Sequence, residues 1–212
     1  GEAWEKLWKE AKAAQRQKGY QQAYRSMEAA VKETEGEMLF YQSKVCEGGF
    51  HRISSGATRD GLEVFGKMEK GYLLSVDSNW DMYGDGYLSG HYFSEEALRE
   101  QLEKAYPGLV FTQEPLEKQI NMHKRDKVGH ILSLTVGNKT ISGEEFRQLL
   151  ELPSSNFTMQ ATDRKIRFLC KGQGHGLGLS QYGGNVLARE GKSYQEILRY
   201  YFPECEVKTK KS

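Results

Sequence analysis

The first 36 residues carry apolar side chains at helical spacing. In two groups they recur three and four positions apart, as on one face of a helix: Trp4, Leu7, Trp8 and Ala11, then Tyr24, Met27, Ala30 and Val31. Between the groups, Lys18 and Gly19 predict a break, so we expect two helices, the second over residues 20–32. Gly36 is the expected C-cap of the second helix.

The pattern changes to short strands between residues 38 and 76. Residues 38–41 and 44–46 predict a hairpin with a two-residue turn, and residues 48–51 continue as a strand. Residues 54–56 are polar and predict a turn. Residues 73–76 predict one more short strand.

The second half of the chain mixes helical and strand patterns. Ser94 is the expected N-cap of a helix that Pro107 and Gly108 end, and residues 114–125 are polar and weakly helical. Residues 131–141 then predict a hairpin with a Gly-Asn turn. Residues 142–150 predict a helix whose Ser142 and Glu145 form a capping box. Two closing strands are predicted at residues 157–160 and 165–170.

Strands outnumber helices, and no regular alternation of strand and helix occurs. The predicted fold is therefore α+β, with a mostly antiparallel sheet or an open β-barrel-like core, peripheral short helices and a small inserted lobe. One domain covers residues 1–212. Within it, residues 1–36 form the N-terminal helical segment, residues 93–125 are the candidate inserted lobe, and residues 126–207 carry the C-terminal sheet and a glycine-rich motif.

Composition narrows the classes of partner and cofactor. Lys and Arg number 30 against 29 Asp and Glu, so the net charge of +1 gives no general attraction to nucleic acid. The three cysteines have neither the spacing of a zinc site nor that of a disulfide framework, and no metal or cofactor is expected. Cys46 and Cys170 lie in apolar stretches and are expected to be buried, with one disulfide possible, whereas Cys205 is expected at a surface or edge.

Residues 172–182 contain the strongest candidate for a binding site. Glycine occupies every second position from 172 to 178, and in an extended chain these positions would share a face that can lie against another backbone or an extended ligand. The run also carries hydrogen-bonding side chains, so it is interpreted as the floor of a polar cleft, with a tight structural loop as the alternative. Its candidate substrate-binding residues are Gly174, His175, Gly176, Ser180, Gln181 and Tyr182.

Two nucleotide-binding motifs are excluded in this region. Leu177 stands where a dinucleotide fingerprint starting at Gly172 needs its last glycine. Val186 stands where a P-loop ending in Gly-Lys-Ser needs its first glycine.

A second polar cluster lies earlier in the chain and contains four further candidate substrate-binding residues: His51, Ser54, Ser55 and Thr58. A serine–histidine nucleophilic pair is conceivable here, but the Gly-x-Ser-x-Gly elbow does not occur, and a simple turn is the alternative. Three nearby aspartates lack the calcium-loop pattern and are expected in a solvated loop: Asp77, Asp81 and Asp85.

Three blocks resemble motifs of the stage II sporulation protein D family: residues 30–41 with 50–58, residues 71–81, and residues 174–183 with 194–203. The first resembles the family's Ala-Val-x-x-Thr-x-Gly-x-Val-Leu-x-Tyr and Phe-His-x-x-Ser-x-Gly-x-Thr motifs. The last resembles its C-terminal signature, Gly-His-Gly-Leu-Gly-Leu-Ser-Gln-Tyr-Gly and a following short helix. The resemblance covers about residues 24–207.

This resemblance implies a peptidoglycan lytic transglycosylase that acts in engulfment on glycan strands stripped of stem peptides. It also implies a partner amidase, a membrane scaffold and a place on the extracytoplasmic face of a Gram-positive cell membrane, anchored through an N-terminal segment absent from this chain. In the family one glutamate serves as acid and then as base while an anhydro ring closes.

The chain departs from the family pattern at the catalytic position. The Glu-Met-Pro segment that carries the family's glutamate does not occur here, and neither does the His and Cys metal cluster of some members. The catalytic residue is therefore unknown, with four glutamates as weak substitutes: Glu33, Glu35, Glu37 and Glu47. Either the chain carries the substrate groove of an enzyme without its acid, or it is a non-catalytic glycan-binding or amidase-stimulating module.

Overall fold

The computed structural model describes residues 2–163 and 165–209. Within them the helices are α1 Glu2–Glu33, α2 Gly61–Phe65, α3 Glu95–Ala105, α4 Gly143–Leu149, α5 Gln181–Arg189 and α6 Tyr194–Tyr201. The strands are β1 Glu37–Tyr41, β2 Lys44–Val45, β3 Phe50–His51, β4 Leu88–Ser94, β5 Ile120–Arg125, β6 Ile131–Val136, β7 Lys139–Ile141, β8 Phe157–Thr162, β9 Lys165–Lys171, β10 Leu179–Ser180 and β11 Glu206–Thr209. Three short 3₁₀ turns cover Met68–Lys70, Asn79–Tyr83 and Leu116–Gln119. The fold is α+β, as predicted.

Two antiparallel sheets, in the orders β4-β9-β8 and β5-β6-β7, enclose the first apolar cluster. Alternate residues of β9 point inward, and Phe168 and Cys170 are fully buried there beside Phe146 of α4. Helix α3 covers the same cluster with Leu98 and Leu102, so the apolar residues of the candidate inserted lobe pack into the core that β6 and β9 share.

A second apolar cluster lies beneath the sheet β11-β1-β2 and the helices α5 and α6. Tyr201 and Phe202, at the end of α6, are its most deeply buried residues. β10, which directly follows the glycine run, pairs in parallel with β3. All other named strand pairs are antiparallel, and the described strands do not close into a barrel.

Several local predictions are confirmed. The hairpin of β1 and β2 turns at Gln42 and Ser43, which both have positive φ angles, as a type I′ turn requires. Ser142 and Glu145 form the predicted capping box of α4. Ser94 accepts the backbone N–H of Ala97 as the cap of α3.

The predicted break at Gly19 is wrong, because α1 runs through it without interruption. A helical glycine costs only about 1 kcal/mol, and the glutamine, lysine and alanine residues around Gly19 are good helix formers. The apolar residues predicted to share a face of this helix, such as Met27 and Val31, are exposed. The side chains of Trp4, Leu7, Trp8 and Ala11 lie outside the described part of the chain.

Two further secondary-structure predictions are corrected. The second half of the weakly helical stretch 114–125 is strand β5, which pairs with β6 and buries Ile120. Pairing with the next strand along the chain, and the burial that comes with it, outweigh the weak local helical propensity. Residues 73–76 are irregular rather than a strand; there, Val76 exchanges hydrogen bonds with Thr58.

Candidate functional site

The glycine run is not extended, which corrects the geometry predicted for it. Gly172, Gly174, Gly176 and Gly178 all have positive φ angles, a conformation that glycine adopts readily and other residues rarely do. The chain therefore loops at every second residue. The space where side chains would stand is filled by protein: a Cβ at Gly174 would lie 2.8 Å from the Cβ of His51, and one at Gly178 would overlap the carbonyl of Gly49.

Backbone hydrogen bonds fasten this run to residues 51–59. Gln173 donates its N–H to the carbonyl of Ile53 and accepts the N–H groups of Arg52 and Ile53. Further along, Arg59 donates its N–H to the carbonyl of Gly176 at 2.8 Å. The two polar clusters found in the sequence are thus brought together, and they meet through their backbones.

His51 and His175 hold the same peptide unit from two sides. The Nδ1 atom of His51 lies 3.1 Å from the carbonyl oxygen of Leu177 and must therefore donate a proton to it. The Nδ1 atom of His175 lies 3.1 Å from the N–H of the same residue and must accept it, which places the proton of the neutral ring on Nε2. The two ring centres are 5.9 Å apart.

Burial keeps both rings neutral near pH 7. It lowers the pKa of His51 to about 4, and the Nε2 atom of this ring is buried without a hydrogen-bond partner among the described residues. Burial also lowers the pKa of His175, while the carboxylate of Glu144 and the carbonyl of Phe50 act in the opposite direction. Only His175 keeps partial access to solvent.

A third histidine and a buried ion pair complete the cluster. His130 is buried between Ser155 Oγ, 2.9 Å from its Nδ1, and Ser55 Oγ, 3.3 Å from its Nε2. Burial and then the nearby guanidinium of Arg59 hold its pKa well below the usual range, so it is a poor base for activating Ser55. Arg59 itself pairs with the buried carboxylate of Asp126 and donates to the carbonyl of His175.

No sequence motif indicated that His130, Arg59 or Asp126 belongs to the site. They lie outside the glycine run and outside any local motif. The tertiary fold places Arg59 and His130 beside Gly176, with Asp126 bonded to Arg59.

Three other predicted site residues are buried and bonded within the protein through their hydroxyl groups. Ser54 donates its N–H to Asp81 at 2.7 Å, and its hydroxyl accepts the N–H of Gly56. Thr58 bonds through its hydroxyl to both Leu74 and Val76. Ser180 caps α5 by accepting the N–H of Gly183. Each hydroxyl holds a loop or a helix end in place.

The structure corrects the predicted location of Asp81, which was expected in a solvated loop. Its side chain is completely buried and accepts the Ser54 N–H, and its second carboxylate oxygen lacks a partner among the described residues. Ser78 and Tyr201 form a hydrogen bond of 2.8 Å beside it. Outside the cleft described next, four predicted residues keep solvent access: Ser55, Gly174, Gln181 and Tyr182.

An open cleft of about 680 Å³ lies between the two apolar clusters, and His175 is the predicted site residue that lines it. Phe50 and Phe65, 61% and 45% exposed, present aromatic surface to it. Its charged lining consists of Glu47, Lys70, Arg59 and Glu144. Glu144 was not among the residues predicted for the site. It lies in the first turn of α4, where a carboxylate interacts favourably with the helix dipole.

Both carboxylates of the cleft are paired with cations. Glu47 lies 3.4 Å from the ammonium of Lys70. One oxygen of Glu144 accepts hydrogen bonds from Arg147 at 2.7 and 2.8 Å, and its other oxygen is buried without a partner among the described residues. The other three glutamates considered from the sequence, Glu33, Glu35 and Glu37, do not line this cleft.

Two further findings, on metal ligands and on membrane spans, concern residues 2–163 and 165–209. Within these ranges, His, Cys, Asp and Glu side chains do not gather in threes as a metal ion requires. None of the described helices combines the length and apolar character of a membrane span.

Comparison with curated proteins identifies relatives over most of the chain. The chain is 30% identical over 197 residues to stage II sporulation protein D of Bacillus amyloliquefaciens, a match that covers 89% of this chain and 52% of the relative. It is 28% identical over 189 residues to stage II sporulation protein D of Bacillus subtilis (strain 168), with the same coverage. Over the residues it spans, the chain belongs to the stage II sporulation protein D family.

The resemblance inferred from the three sequence blocks is thereby confirmed. This member of the family spans about half the length of these curated relatives. A shorter match, 42% identical over 50 residues, covers 24% of this chain and 7% of the amidase enhancer of Bacillus subtilis (strain 168). A search of protein-family models finds no match.

Proposed function

We propose that this chain binds peptidoglycan glycan strands in the cleft beside His175 and acts in cell-wall degradation during sporulation, as the substrate-binding part of a lytic transglycosylase. The observation that carries the proposal is the joint presence of exposed aromatic and charged side chains in one open cleft. The family membership supports the cell-wall context, since the relatives are named for sporulation and for enhancing an amidase.

The chemistry of a denuded strand suits this lining. Sugar rings present apolar C–H faces, which pack on aromatic surfaces such as those of Phe50 and Phe65, and polar edges, which need convergent hydrogen-bonding groups. A muramic acid residue without its stem peptide also carries a free lactyl carboxylate. Lys70 lines the cleft and, among the described residues, forms an ion pair with the exposed Glu47; we assign its ammonium group to that carboxylate.

The proposed reaction needs a general acid besides the two cleft carboxylates. A carboxylic acid that protonates a glycosidic oxygen must hold a proton near neutral pH. Glu144 accepts hydrogen bonds from the guanidinium of Arg147, and Glu47 lies 3.4 Å from the ammonium of Lys70, so both carboxylates are already engaged by cations of the protein. We therefore assign these residues to binding and leave the acid unassigned.

The test compares two glycans on purified protein. Denuded strands and chitin oligomers of equal length differ in the lactyl carboxylate, so wild type should bind the denuded strands more tightly, and Lys70→Met should reduce that preference. Lys118→Met, which removes an exposed lysine outside the cleft, is the matched control. Equal affinity of wild type for both glycans would contradict the assignment of Lys70.

The match to the amidase enhancer favours a second candidate, a module that stimulates an amidase without cutting glycans itself. Its test is the rate of stem-peptide release by a cell-wall amidase with and without this chain. Stimulation without anhydro-muramic products would favour the module over the enzyme. Either role implies the extracytoplasmic face of the membrane as the working location, which we also propose and which surface labelling of intact cells would test.

A further inference from the structure

Two cysteines that are distant in sequence meet at the edge of the second apolar cluster. The Sγ atoms of Cys46 and Cys205 are 3.6 Å apart. Their positions are fixed by the backbone, because Cys46 donates its N–H to Leu39 and Cys205 donates its N–H to Phe202, each at 2.9 Å. The pairing of β1 with β11 holds these two segments side by side.

We propose that Cys46 and Cys205 are a disulfide-forming pair, which a small-molecule disulfide converts to an intramolecular bond within the folded protein. A disulfide needs its sulfur atoms about 2.05 Å apart, so the two thiols must approach by roughly 1.5 Å, a distance that side-chain rotation can provide.

From the sequence one disulfide was considered possible, and Cys205 was expected at a surface or edge. The structure places Cys170 on β9 with its side chain in the first cluster, where burial raises the pKa of its thiol to about 11. Cys46 packs against the second cluster, which contains Cys205.

The burial of the two thiols sets the order of the reaction. Cys46 is partly exposed, so its thiolate attacks the oxidant first, which forms a mixed disulfide and releases one thiolate. Cys205, buried and with its pKa raised by burial and by Cys46, then attacks the sulfur of Cys46 and expels the second thiolate. Two protein thiols lose two electrons and two protons, and the small disulfide is reduced to two thiols.

The bond would tie the end of the β1–β2 hairpin to the segment before β11, across 159 residues of sequence. Closing so long a loop removes conformational freedom from the unfolded chain and should stabilise the folded state. Glu47, which lines the cleft, directly follows Cys46, so the bond would also fix this part of the cleft wall. The inference does not depend on what the cleft binds.

The test is oxidation of the native protein with excess oxidised glutathione, followed by denaturation, alkylation and mass spectrometry. Alkylatable thiols should fall from three to one in wild type, with peptide mapping locating the bond between Cys46 and Cys205. Cys170→Ser is the matched control and should form the same bond. Cys205→Ser should instead retain glutathione on Cys46, since its resolving thiol is missing.

The oxidised protein should also melt several degrees higher than the reduced protein, and Cys46→Ser should lose this difference. A bond that includes Cys170, three alkylatable thiols after prolonged oxidation, or equal melting temperatures of the two forms would overturn the proposal.

Discussion

At the scale of single residues, polar side chains beside the glycine run serve mainly to hold peptides in place. His51 and His175 fix the two sides of the Leu177 peptide, and the hydroxyl of Thr58 fixes two further backbone groups. The sequence identified several of these residues as special, since their types and spacing recur in the family motifs. It could not tell a substrate bond from an internal one, because that depends on which segments the fold brings alongside.

The burial of neutral His51 predicts how the free energy of unfolding depends on pH. Its pKa is about 4 in the folded state against 6.5 in the unfolded chain, so the unfolded state binds more protons between these values. Stability from this group is complete above pH 6.5 and is lost as the pH falls toward 4. We expect urea denaturation to give roughly 2 kcal/mol less unfolding free energy from His51 at pH 5 than at pH 7.

The variant His51→Asn separates this contribution from those of other groups. The asparagine amide can replace the Nδ1 donor but does not titrate, so the decline of stability between pH 7 and pH 5 should be shallower than in wild type. Parallel pH profiles for the two proteins would show that His51 is not the group responsible.

The buried hydrogen bond between Asp81 and Ser54 predicts a loss of stability when its acceptor is removed. Asp81→Ala leaves the N–H of Ser54 without its acceptor in the interior, and we expect a loss of about 1–3 kcal/mol in unfolding free energy. Asp77→Ala removes an exposed carboxylate from the same stretch and should change stability by less than about 0.5 kcal/mol. If the two variants are equally stable in urea, the buried role of Asp81 is wrong.

At the scale of elements, regular helices and strands were more predictable from the sequence than the glycine loop. The β1–β2 and β6–β7 hairpins and the caps of α3 and α4 follow from local turn and capping residues, and the structure has them. Strand β5 follows from its pairing with the neighbouring β6 and from the burial of Ile120, which a weak local helical pattern does not indicate. The looped glycine run depends on residues 49–59, which are far away in sequence.

Two glycines with similar positive φ angles test why the run contains glycine. Gly66 and Gly178 have φ angles of 64° and 71°, but a Cβ at Gly66 would meet nothing within 4 Å, whereas one at Gly178 would overlap the Gly49 carbonyl. Gly66→Ala should cost about 1–2 kcal/mol from backbone strain alone. Gly178→Ala should cost about 1–3 kcal/mol more, or prevent folding, because the loop can no longer pack.

Equal denaturation midpoints for these two alanine variants would refute the packing explanation. The glycine run would then have to be interpreted again as a surface kept open for a ligand.

At the scale of the whole molecule, the cleft lies between the two apolar clusters, and its lining comes from elements throughout the chain. Phe50 of β3, Phe65 of α2 and Glu144 of α4 converge there with His175. The sequence motifs led to His175 and to the family, but not to the other side chains of the cleft, since only the packing of the clusters sets them opposite one another. Whether residues 93–125 form a separable lobe stays a prediction.

The most direct test of the central claim, that this cleft binds glycan strands, is calorimetric titration with denuded oligomers. Wild type should bind with a Kd between about 1 mM and 1 μM, and Phe50→Ala and Phe65→Ala should each weaken binding roughly tenfold. Tyr92→Ala, which removes an exposed aromatic ring on β4 away from the cleft, should bind as wild type does. The same affinity in all four proteins, or no binding by wild type, would contradict the account.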